Sequence, residues 1–252
     1  MNEQLLLKNV RQVLIRQEET IIFALLERAQ FLANAKVYEP GAFGEATEGE
    51  SLCGYMLRET EKLHAGMRRY TSPDEHPFFD NLPEPILPAL TWQENPLKSN
   101  NINHNAEIRS IYEERIIPAV CAAGDDSQYG SSAVCDVICL QALSRRIHYG
   151  KFVAESKYQH NPELFQPIIS SADRTALFMA ITDETVEQQV LERVAEKAAA
   201  YGSDAAAETQ PANPCAKTIT TVYRDIIIPM NKQVQVEYLL ERLDKPHENR
   251  KR

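Results

Sequence analysis

Two cations share one face of a long helical segment. Stepping 100° per residue from Arg146 brings Cys135, Cys139, Ala142, Arg146, Gly150, Val153 and Lys157 within about 40° of one line. That line is small and apolar except for Arg146 and Lys157, which stand three turns apart. Side chains of that length can converge on one small dianion, and Gly150 between them leaves room. They can equally snorkel to solvent or pair with acids of a neighbouring helix. Three further segments repeat the pattern. Arg11 lies on a stripe with Leu7, Ile15, Ile22 and Leu25, and Glu187 on one with Leu191, Val194 and Ala198. Gln235 lies between Ile228 and Leu239, with Asn231 one turn before it. A buried charge is costly unless it is paired or holds a ligand. Singly, each case has a structural reading: Arg11 can pair with Glu18, and Gln235 can join a core network. Together, three cations, one carboxylate and one amide on four inward stripes predict a polar pocket inside a helical bundle. Its inventory suits a small polyanionic organic molecule and includes no activated nucleophile.

Other chemistries find little support. Asp125–Asp126 is an acidic pair without a third aspartate, and reads as a solvated turn. The histidines, His64, His76, His104, His148, His160 and His247, show no metal-ligand spacing, so no metal site is expected. His148, after two arginines, reads as a hydrogen-bonded structural residue. No GxSxG, GxGxxG or P-loop occurs.

The elements that must hold these residues are helices. Leu5–Ala35, Ser51–Tyr70, Ala106–Ala123 (kinked at Pro118), Ser131–Gln159, Pro162–Ser170, Asp173–Ile181, Glu184–Tyr201 and Ile219–Leu243 (bent at Pro229) carry three- and four-residue apolar steps. The Ser131–Gln159 segment is the longest, about 43 Å. Thr71–Asn103 holds Pro73, Pro77, Pro83, Pro85, Pro88 and Pro96 and reads as a long ordered loop. Ser203–Lys217 reads as a flexible one. No stretch alternates at period two and no internal repeat is visible, so the class is all-α. A length of 252 residues suits one large domain or two small ones, and a single domain over 1–252 is the reading taken.

A formal charge of −9 argues against nucleic acid and anionic membrane as partners, because both require a cationic surface. There is no run of 18 apolar residues to span a bilayer. The amino terminus, MNEQLLLKNVRQ, does not read as a signal peptide. Five scattered cysteines without a CxxC pair (Cys53, Cys121, Cys135, Cys139 and Cys215) predict reduced thiols in the cytosol.

Four blocks carry a resemblance. CLQALSRRIHYGKFVAESK (Cys139–Lys157), RYTSPDEHPFF (Arg69–Phe79), IRQEETIIFALLERAQF (Ile15–Phe31) and VQVEYLLERLD (Val234–Asp244) resemble the all-helical chorismate mutases of fungi and plants. SPDEHPFF and VCDVICLQAL look closer to plant members, and the lack of a plastid transit peptide implies a cytosolic form. The resemblance implies a single multi-helix domain of about twelve helices around a long central helix, and a homodimer. It implies that chorismate is rearranged to prephenate, for phenylalanine and tyrosine biosynthesis, without cofactor or metal. By motif it assigns the catalytic pocket to Arg11, Arg146, Lys157, Glu187 and Gln235, with Asn231 beside them as a substrate contact. Fungal members have glutamate where Gln235 stands, threonine where Asn231 stands and asparagine where Asp183 stands. Asp183 is therefore not assigned to substrate.

The resemblance also implies an effector site at a dimer interface, where tyrosine inhibits and tryptophan activates. Arg68 and Arg69 end one helix, while Gly130 and Ser131 open the long one with free N–H groups that can receive a carboxylate. The structural alternative is that Ser131 or Ser132 only caps that helix and both arginines are solvated. The alternative function is a catalytically inactive helical regulatory or interaction protein of the same fold. The complete set of pocket chemical types favours the enzyme.

Overall fold

The computed structural model describes residues 5–90, 95–204 and 216–242. Among them there are eight continuous helices and no strand. These are α1 (Leu7–Arg28), α2 (Leu52–Gly66), α3 (105–120), α4 (129–160), α5 (Pro162–Ser170), α6 (Arg174–Ile181), α7 (Glu184–Asp204) and α8 (216–241). The all-α expectation holds, but the expected count of about twelve does not. The eight helices correspond to the eight segments that the apolar steps mark out, and the larger number came with the resemblance. Both helices expected to kink or bend at a proline run through it. Pro118 and Pro229 each lack an N–H and crowd the carbonyl four residues back. In each case a π turn just before the proline, Tyr112–Ile116 or Tyr223–Ile227, widens the helix and lets it continue. Both segments spell Tyr-x-x-x-Ile-Ile-Pro, and both tyrosines are fully buried. The sequence thus does hold one short repeat, at these two prolines.

Helix α1 stops seven residues before the expected Ala35. The Arg28 guanidinium turns the chain by donating to the carbonyls of Phe31 (3.3 Å), Leu32 (3.0 Å) and Ala33 (3.0 Å). Asn34 then takes a left-handed φ of 50°. Ser51 caps α2 by accepting from the Gly54 N–H at 3.1 Å. The same helix ends before the expected Tyr70, because Arg68 has φ 67°. Helix α4 is interrupted only at Tyr149. The 71–103 loop is pinned from inside. Glu61, fully buried, accepts from the Phe78 and Phe79 N–H groups, and Asn105 donates to the carbonyls of His76 and Pro77. Most of the expected 203–217 loop, residues 205–215, lies outside the described residues.

Helix α4 runs through the middle and packs against α1, α2, α3 and α8, while α7 packs on α1 and α8. Arg28 (α1) and Asp136 (α4) form a buried ion pair at 2.6 Å inside that core, with the Tyr38 and Tyr112 hydroxyls also donating to Asp136. Cys53, Cys121, Cys135 and Cys139 are free thiols, and Cys215 lies outside the described residues. Among the described residues no helix is long and apolar enough to cross a membrane.

Candidate active site

The second half of α4 crosses α8 at very close range. Gly150 lets this happen, because it has no side chain to meet the Asn231 backbone. At the crossing the Asn231 amide donates to the carbonyls of Arg146 (3.1 Å) and Ile147 (3.0 Å), next to the break at Tyr149. Its Oδ1 in turn accepts from Gln235 Nε2 at 2.9 Å. Asn231 thus ties the two helices together and orients the Gln235 amide. One N–H of that amide is committed to Asn231, and Gln235 Oε1 is buried without a partner.

Arg146 is only 4% exposed, yet its Nε and Nη1 are buried with no hydrogen-bond partner. Burial pulls its pKa below the ordinary value, the nearby Tyr223 and Glu18 act the other way, and Arg193 adds to the lowering. Glu18, buried, is already held by Arg193 at 2.9 Å and so does not neutralise Arg146 directly. A buried guanidinium with orphaned donors is what a ligand carboxylate would satisfy.

Lys157 lies further along α4, and its ammonium donates to the Ile181 carbonyl at the end of α6. Burial pushes its pKa down to about 8; Asp183 and Glu187 pull it up, while Lys232 and Arg11 push it further down. Arg11, Asp183, Glu187 and Lys232 are thus near enough to act on one ammonium. Glu187, in the first turn of α7, is half-buried and bonded to Lys232 Nζ at 2.9 Å. Asp183 caps α7 by accepting from the Val186 N–H at 3.1 Å.

The structure therefore gathers Arg146, Lys157, Glu187, Asn231 and Gln235 around the α4–α8 crossing, with Arg11 near enough to act on Lys157. Two details differ from the stripe reading. Arg11 is exposed, because its end of α1 is only partly covered, with Val10 the one buried residue of that helix before Gln17. Lys232, 91% buried, was missed. Its signal was available: it stands three residues before Gln235, so on the same side of the helix.

Elsewhere, His148 is structural as expected. Its Nδ1 donates to the Ser144 carbonyl (2.8 Å), its Nε2 accepts from the His104 N–H (2.9 Å), and burial drives its pKa down to about 2. Asp126 is no solvated turn; it accepts from the Leu32 N–H (2.9 Å), the Asn34 amide (2.7 Å) and the Gln128 N–H (2.9 Å). Among the described residues no group of three His, Cys, Asp or Glu side chains is placed to hold a metal ion.

The residues expected to bind an effector are not brought together within one chain. Arg69 bonds Gln141 at 2.8 Å, His64 and Glu75, and Arg68 bonds the Pro88 carbonyl. Gln141 is about 16 Å along α4 from Gly130. At that far end the first ladder bond runs from Ser132 N–H to Gln128, so the Tyr129, Gly130 and Ser131 N–H groups precede the ladder. No side chain caps them.

Fold and pocket together define an all-helical protein with buried cations, Arg146 and Lys232, between its helices. Comparison with known proteins narrows this. The chorismate mutase type II family model matches residues 128–236. The chain is 50% identical to the chorismate mutase of Schizosaccharomyces pombe, over 96% of this chain and 98% of that one. It is similar to the crystal structure of Aro7p chorismate mutase from Candida albicans in complex with L-Trp (TM-score 0.89, 41% identity, 97% and 94% covered). It is also similar to the structure of AtCM1 with tyrosine bound in an allosteric site (TM-score 0.88, 46% identity, 97% and 99% covered). The chain belongs to the chorismate mutase type II family and is an isomerase, a chorismate mutase. With 50% identity to a yeast enzyme, the plant-like details of SPDEHPFF and VCDVICLQAL do not set it apart from fungal members.

Proposed function

We propose that the α4–α8 pocket carries out the rearrangement of chorismate to prephenate by charge and shape alone. The reaction is intramolecular: one C–O bond breaks as one C–C bond forms, and no proton has to move. Catalysis then reduces to holding a compact conformer and stabilising charge on the ether oxygen. Arg146 and Arg11 grip the two substrate carboxylates. Lys157 and the remaining Gln235 N–H donate to the ether oxygen as it gains electron density. Glu187 accepts from the ring hydroxyl. Asn231 acts at this pocket beside Gln235. The observation that carries the reading is Arg146, buried with two unpartnered nitrogens on a helix that Asn231 ties to Gln235, whose Oε1 is also buried without a partner. The test is loss of chorismate absorbance with purified protein and added chelator. Absence of turnover would favour the catalytically inactive reading; turnover lost only with chelator would overturn the metal-free one.

The chain is further read as a single domain over 1–252 that works as a cytosolic homodimer. Exposed Leu63, Met67 and Ile86 lie together at the end of α2, and exposed Val134 and Ile138 share an outer face of α4 with Gln141. A two-fold pairing of these faces would bring Arg68 and Arg69 of one protomer to Gly130 and Ser131 of the other. Two relatives were solved with tryptophan or tyrosine bound, the latter in an allosteric site, which supports these amino acids as effectors. The free thiols fit a reducing compartment.

A further inference from the structure

Lys232 has three geometric features that the proposed roles do not use. Its Nζ lies 2.9 Å from Glu187 Oε1. It stands 4.3 Å over the Phe178 ring, which fixes it from the other side. It is 9% exposed, so it is no solvated surface lysine. A carboxylate has two oxygens. With Oε1 taken by Lys232, Glu187 keeps Oε2 for another donor.

A pocket for a dianion gains nothing from an uncompensated carboxylate, which would repel the substrate. We infer that Lys232 is a positioning residue for the reaction: it fixes Glu187, offsets its charge against the dianion, and leaves one carboxylate oxygen free for the substrate hydroxyl. Lys232 acts through Glu187 and is not a third anchor for a substrate carboxylate. The inference rests on the site reading above, in which Glu187 touches substrate. Lys232 also acts on Lys157, whose protonation it disfavours. The charged groups facing Lys157 are Arg11 from α1, Asp183 and Glu187 at the start of α7, and Lys232 from α8, with the Ile181 carbonyl of α6 on its ammonium. Removing Lys232 takes away a like charge and frees Glu187 to attract Lys157. Both changes favour the protonated lysine.

The test is a double-mutant cycle of Lys232→Met and Glu187→Gln, with Lys232→Arg as a conservative control and helicity as the check on folding. Lys232→Met should lower kcat/KM by about ten- to a hundredfold, the scale of one charge-assisted hydrogen bond. In the Glu187→Gln background it should cost little more. The alkaline limb of its pH–rate profile should move to higher pH, as loss of a cation near Lys157 requires, and the non-additive cost against Glu187→Gln is what a purely structural lysine would not cause. Lys232→Arg should recover most of the activity and carries the test should the methionine variant not fold. Additive losses, or an unmoved alkaline limb, would overturn the role of Lys232 and leave the site reading standing. Unchanged kcat/KM in Glu187→Gln alone would instead overturn the site reading.

Discussion

A Cβ added to Gly150 would lie 2.6 Å from the backbone oxygen of Asn231 and 3.0 Å from its amide nitrogen. The first contact is backbone on backbone, so no side chain can swing away. Helix α4 carries Arg146 and Lys157 on either side of Gly150, and α8 carries Asn231, Lys232 and Gln235. Gly150→Ala should therefore separate the two halves of the pocket. We expect a loss of about 1–3 kcal/mol of stability, from overpacking, and a lower kcat/KM. Urea unfolding and steady-state kinetics check this, and wild-type stability in the variant would contradict it.

Two buried arginines predict opposite outcomes. Arg28 is fully buried but satisfied by Asp136, Tyr38 and three carbonyls; burial opposes its charge, yet Asp136 and Tyr38 hold its pKa above the ordinary value. Arg28→Met strands a buried carboxylate and should cost about 3–5 kcal/mol. Arg146 is nearly as buried but has no anionic partner at two of its nitrogens. Arg146→Met should leave stability unchanged or raised, while kcat/KM falls by about 10²-fold or more. Denaturation and activity measured on the same samples separate the cases, and full turnover in a helical Arg146 variant would sink the site assignment.

The pH dependence should come from Lys157. Its protonated form is the donor, and its pKa in the folded protein is lowered to about 8, first by burial. kcat/KM should be flat across the neutral range and fall about tenfold per unit above pH 8. Bound dianion favours the ammonium, so the limb in kcat lies higher. Gln235 donates at every pH, whereas Gln235→Glu donates only when protonated. That variant should keep activity in acid and lose it toward neutral pH. A Gln235→Glu profile identical to the parent's would place Gln235 outside the reaction centre.

Regulation should depend on assembly. Tyrosine should inhibit and tryptophan activate, and Arg69→Ala should blunt both responses. Ile138→Glu or Met67→Glu puts a charge on an exposed apolar face and should give a monomer by light scattering, with the effector response lost. Flat activity against both amino acids, with no calorimetric binding, would remove the effector site.

Sequence periodicity by itself determined the faces of the helices. That is why Arg146, Lys157, Glu187 and Gln235 could be named: each is a polar residue on an apolar stripe, and a stripe is a local property of a 3.6-residue period. Proline density located the 71–103 loop in the same way. Only tertiary packing decided which charges are compensated. Arg28 and Arg146 look alike in sequence, yet one meets Asp136 108 residues away and the other keeps two nitrogens without a hydrogen-bond partner. Arg11 is exposed although its stripe continues inward, because burial depends on what packs against that end of α1. Lys232 was passed over because its partner Glu187 lies on another helix. Pro118 and Pro229 did not end their helices, because π turns absorbed them. The physical reason is the same throughout. Period and propensity act over one or two turns, whereas the free energy of a buried charge is set by atoms within a few ångströms, whatever their distance along the chain.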